Sequence, residues 1–98
     1  MTEPYDPVAL LRSMKLGRLA AAVRENNECT IYSDKGVFVL FKAGACIRVV
    51  CTPTGLAVAI GEPYGVPSVV LAPSEITTLI PGAIQDPHYE GLAWQRVR

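Results

Sequence analysis

Apolar positions along this chain follow a helical spacing first and a strand spacing afterwards. Between Pro7 and Arg24 no single apolar stripe accounts for all of them. Leu10, Leu11, Met14 and Ala21 fall on one side of a helical wheel, and Val8, Leu16, Leu19 and Val23 on another. The segment is either a broadly buried helix or one that bends near Gly17 into two pieces. Asp6-Pro7 supplies a capping carboxylate and a proline suited to the first helical position, and Asn26-Asn27 supplies an end.

Beyond Asn27 the period shortens. "ECTIYS", "GVFVLFK", "ACIRVVC" and "LAVAIG" read as strands. Three turns separate them: Ser33-Asp34-Lys35-Gly36, Ala43-Gly44, and Thr52-Pro53-Thr54-Gly55. Such regular turn spacing predicts an antiparallel meander, and Ser68–Leu71 predicts a fifth strand. In "PSEITTLIPG" an early Pro73, Glu75 at the positive end and a Pro81-Gly82 stop predict a short helix. The tail, "AIQDPHYEGLAWQRVR", has no clear period, and Leu92 and Trp94 are expected to pin it. The expected class is α+β: an N-terminal helix packed on a four- to five-stranded meander, then a short C-terminal helix and tail, in one domain over residues 1–98.

Strand alternation then raises a covering problem. Val37, Val39 and Phe41 share one face of their strand, and Phe38 and Leu40 the other. Ile47, Val49 and Cys51 oppose Cys46, Arg48 and Val50. Both faces of the middle strands are apolar, whereas a sheet with one wet face alternates apolar with polar. The N-terminal helix covers one face; the other needs the short C-terminal helix and tail, closure into a half-barrel, or another subunit, and a homodimer is the leading expectation, with Phe38, Leu40 and Arg48 at the interface. Arg48 needs a partner if buried, with Glu28, Glu62 and Glu75 as candidates. The plainer reading places it at a sheet rim with its head in water.

Composition narrows the classes further. Of 98 residues half are hydrophobic and 18% charged, which argues against disorder, and the formal net charge is zero. Three cysteines make an odd set, and the N-terminus lacks a signal-peptide pattern. A reducing, cytoplasmic setting is expected. Cys46 and Cys51 are placed on opposite faces of one strand, so they do not share a metal; with Cys29 they read as small core hydrophobes. His88 in "QDPHYEG" reads as part of a polar turn.

Arg12, Lys15, Arg18 and Arg24 form a run of cations with no acid between them. Arg12, Lys15 and Arg18 form a candidate basic patch for nucleic acid or an acidic partner. The wheel spreads the cations, and no aromatic residues interleave to stack bases, so a solvated helix surface is the plainer reading. "GEPYGVP" lacks phosphate-loop spacing; Tyr64 at its tip is a candidate contact. Lys42, Arg48 and the Thr52–Gly55 turn interrupt the apolar stretch Val37–Gly61, so no membrane span is expected.

"LLRSMKLGRLA", Leu10–Ala20, resembles the opening of the pyridoxamine-phosphate-oxidase-like split-barrel family, in which a helix ends in a similar "LGRLA" phrase that enters the first strand. The resemblance covers about a tenth of the chain. It implies that Leu16–Val23 is a strand and that flavin binds. The family's proline-containing P-V-x-aromatic phrase and later Arg-Thr do not follow here, so no flavin residue is assigned and no cofactor is expected. The expected function is a small non-enzymatic interaction or regulatory protein, homodimeric and binding another protein. A small-ligand or flavin domain is the first alternative, and a nucleic-acid binder using the basic helix the second.

Overall fold

Asp6 begins the first helix as the sequence predicts. In a computed structural model that describes residues 6–62, 66–83 and 93–97, its Oδ1 accepts from the Ala9 N–H at 3.1 Å, and Pro7 opens α1 (Pro7–Ser13). Of the two helical readings, the bent one holds. The break lies near Gly17, as expected, and is centred two residues before it. Lys15 takes a left-handed conformation at φ 62°. The Leu16 N–H reaches the Leu11 carbonyl and the Lys15 N–H the Arg12 carbonyl, both at 3.0 Å. This is a Schellman motif, with buried Leu11 and Leu16 as its apolar pair. Gly17 is instead the first residue of α2 (Gly17–Glu25). The same device ends α2: Asn26 sits at φ 53°, and the Asn27 N–H reaches the Ala22 carbonyl at 2.9 Å.

Strands β1 (Cys29–Ser33) and β2 (Gly36–Leu40) pair antiparallel through the predicted Asp34-Lys35 loop. The turn between β3 (Ile47–Thr52) and β4 (Gly55–Gly61) is built alike. In each, the hydroxyl of the first turn residue donates to the glycine carbonyl: Ser33 to Gly36 at 2.9 Å, Thr52 to Gly55 at 2.8 Å. Gly36 and Gly55 stand at φ 132° and 126°, which side-chain-bearing residues rarely adopt.

The middle turn is a correction. Ala43-Gly44 is not a hairpin loop. Residues Ala43–Cys46 form a single helical turn, α3, whose Ala43 and Cys46 are buried, and the chain leaves its sheet there. The expected single meander is therefore two antiparallel sheets. One is three-stranded, in the order β3-β4-β5, with β5 at Pro67–Leu71. The other has the order β6-β1-β2-β7, with β6 at Ile76–Pro81 and β7 at Trp94–Arg96.

β6 occupies most of the segment expected to be the C-terminal helix. Only Pro73–Glu75 makes a 3-10 turn, in which Glu75 Oε1 accepts from the Ala72 N–H at 2.8 Å. The helix-start chemistry is spent on that turn. Ile76, Thr77, Thr78 and Ile80 are β-branched and suit the strand that pairs with β1. The tail, read as aperiodic, supplies β7, which pairs with β2 and brings half-buried Trp94 against the core. Leu92 lies outside the described residues.

One hydrophobic cluster joins both helices to both sheets. Leu11 and Leu19 meet Ile31, Phe38 and Leu40 from the four-stranded sheet and Val49, Val58, Ile60 and Leu71 from the three-stranded one. The protein is an α+β fold. Most of the second apolar face is hidden within the chain as well: Val37, Val39, Ala57 and Ala59 are all buried. The large hydrophobic side chains exposed among the described residues are Leu56, Val66 and Ile80.

Candidate functional site

The residues expected at an interface have separate fates. Phe38 and Leu40 are 1% and 0% exposed and belong to the core, so their side chains present no surface to a partner. Their face looks inward because β1 and β2 bring them opposite Ile31 and Cys29, beneath the helices. Arg48 is exposed on edge strand β3, in register with buried Ala59. Of its candidate partners, Glu28 and Glu62 are exposed. Glu75 accepts from the Ala72 N–H and pairs with Lys35 at 3.3 Å. These contacts, the backbone one foremost, hold its carboxyl below the usual range. Tyr64 and His88 lie outside the described residues.

The basic run is partly gathered by the helix break. Arg12 is exposed in the last turn of α1. Lys15, set by its left-handed backbone, and Arg18, in the first turn of α2, line a groove of about 380 Å³ whose other wall is β6. The Arg18 guanidinium reaches across it, donating from Nη1 to the Leu79 carbonyl at 3.4 Å. Thr77 and Thr78 are exposed along the β6 wall, and no described lining residue is acidic. Leu16 precedes α2 without a side-chain cap, so the first amides of α2 add positive partial charge at the same end. A second recess of about 210 Å³ lies on the far side of Arg18, between α2 and Cys29, with Glu25 and Glu28 at its margin.

β6 matters because it is an edge. Among the described residues it pairs on one side only, with β1. The other edges carry contacts of their own: β7 is three residues long, β5 begins with Pro67 and gives its Val70 carbonyl to Lys35 Nζ at 2.9 Å, and α1 packs beside β3, as α2 packs beside β6. What sets β6 apart is the cationic groove that runs along it. Sequence reasoning missed β6 because Pro73, Glu75 and the Pro81-Gly82 stop framed a helix. The β-branched run Ile76–Thr78 with Ile80 was the available signal.

The cysteines do not assemble a site. Cys46 is not on β3: it lies in α3, and its thiol donates to the Ala93 carbonyl. The expectation that it opposes Cys51 across one strand is thereby corrected. Burial pushes the Cys29 and Cys46 thiols up to about 11, from an ordinary value near 9, so both stay protonated at neutral pH. Cys51 is exposed. Among the described residues, no group of three or more His, Cys, Asp or Glu is placed to hold a metal ion, and no helix is long and apolar enough to cross a membrane.

No family model, curated protein or solved structure matches this chain. The split-barrel resemblance required a strand over Leu16–Val23. That segment is helix α2, stabilised by burial of Leu19 and Ala20 against the core.

Proposed function

We propose that this chain is a non-enzymatic binding domain that takes a partner protein along the open edge of β6. The observation that carries this reading is the edge itself: six residues, paired on one side among the described residues, with Thr77, Thr78 and Ile80 exposed. Proteins use such an edge to add a strand from another chain; at β6 the Leu79 carbonyl, already bonded to Arg18, keeps a second lone pair for it, and Pro81 supplies an acceptor but no donor. Burial of Val39, Ala57 and Ala59 covers much of the apolar face that a homodimer was expected to hide. An edge contact remains available to a second copy or to a different protein. A photo-crosslinking residue placed at Thr78, and in a control at Thr54 in the β3–β4 turn, tests the site in a lysate of the source organism. An adduct at Thr78 and none at Thr54, with mass spectrometry placing the crosslink in one extended segment of a single partner protein, supports the reading. Equal capture at both positions, or capture at Thr54 alone, contradicts it.

A further inference from the structure

We propose that the groove between α2 and β6 selects an acidic extended segment of the partner, added as a strand beside β6 with carboxylates at alternate positions. This rests on the β6 docking reading and specifies the chemistry of the partner. Two observations choose it.

The first is charge. Lys15 and Arg18 stand over the groove, and no described lining residue offsets them. Arg18 is already oriented by its bond to Leu79; a guanidinium carries five donors, so further N–H groups remain to take a carboxylate. The Schellman turn fixes the backbone of Lys15, whose side chain lines the groove.

The second is alternation. Leu79 lies on the face of β6 that meets the core and α2, while Thr78 and Ile80 lie on the other. A strand laid beside β6 points successive side chains to these two faces in turn. One set meets Lys15 and Arg18. The other set runs alongside Thr78 and Ile80, where an exposed isoleucine favours β-branched or apolar neighbours. The recognised pattern is acidic alternating with apolar.

Fluorescein-labelled octapeptides test this with the intact chain: alternating Val-Glu, alternating Val-Lys, and a single-stranded DNA oligonucleotide as the rival polyanion. The Val-Glu peptide is expected to bind, to weaken as salt rises from ~50 to ~500 mM, and to lose about fivefold on Arg18→Glu. Arg24→Glu, at the far end of α2, is expected to leave it unchanged. Far-UV spectra establish that each variant is folded, and Lys15→Gln provides a second, milder variant expected to weaken binding. Absence of Val-Glu binding overturns the proposal, as does equal loss with Arg24→Glu or tighter binding of the oligonucleotide. If Val-Lys binds as well and amide shifts still map to β6, the acidic preference fails while β6 docking stands. If the shifts map elsewhere, both fail.

Discussion

Replacing Lys15 by glycine is expected to stabilise this protein, although it removes a charged side chain from the surface. Lys15 stands at φ 62°, where a Cβ crowds the backbone at a cost of roughly 1–2 kcal/mol. Glycine avoids that cost but loses about 0.5–1 kcal/mol through its freer unfolded chain. The net gain is ~0.5–1 kcal/mol, because the two Schellman hydrogen bonds use only main-chain atoms and survive the change. For a domain near this size that is a rise in melting temperature of ~2–8 °C, measured by thermal unfolding at 222 nm. Gly17→Ala supplies the contrast. Gly17 is not at positive φ, and a Cβ there meets nothing within 4 Å. As a helical residue it gains about 0.4–1 kcal/mol from the substitution. If the chain instead turned at Gly17, Gly17→Ala would destabilise it and Lys15→Gly would not help. A lower melting temperature for Lys15→Gly refutes the placement of the break. The same variant is expected to bind the Val-Glu peptide less tightly, so stability and binding move in opposite directions.

Three further outcomes follow from the core and the turns. Titration with a thiol reagent at neutral pH is expected to label Cys51 rapidly and Cys29 and Cys46 only on unfolding; fast labelling of all three contradicts their burial. Gly61→Ala is expected to cost about 1–3 kcal/mol, read as a lower denaturant midpoint, because the new Cβ falls 2.9 Å from the Pro67 Cα, where only backbone can yield. The pH dependence has two edges. Glu75, held below the usual carboxylate range, contributes stability that is present above that range and lost as pH falls through it, and Glu75→Gln is expected to flatten this limb. Cys29 and Cys46, raised to about 11, make stability fall as pH rises from near 9 towards 11, since the unfolded thiols ionise first. A stability curve flat across both limbs refutes these assignments.

Local chemistry was legible in the sequence wherever one short motif decides the geometry. Asp6-Pro7, the Asn26-Asn27 stop and the glycine-closed turns at Gly36 and Gly55 each carry their own hydrogen-bond logic, and each stands where the residues indicate. Features decided by long-range packing were not legible. Ala43-Gly44 resembles a hairpin loop, yet burial of Ala43 and Cys46 makes it the crossing between two sheets. Lys15 in a left-handed turn has no residue signature, because the Leu11–Leu16 contact overrides its preference. The candidate site suffered most. Arg12, Lys15 and Arg18 were named as a patch, but joining Lys15 and Arg18 to β6 needs a strand that the helix-like punctuation around Ile76–Pro81 concealed. Phe38 and Leu40 looked like interface because two apolar faces on one sheet leave one uncovered. Two sheets around one core remove that surplus.

The most direct measurement is a map of backbone amide shifts as the Val-Glu octapeptide is added to the labelled protein. The largest changes are expected at Thr77 to Ile80, with Lys15 and Arg18 following. Changes centred on Arg48 to Thr52 of β3, with β6 unmoved, would contradict docking at β6.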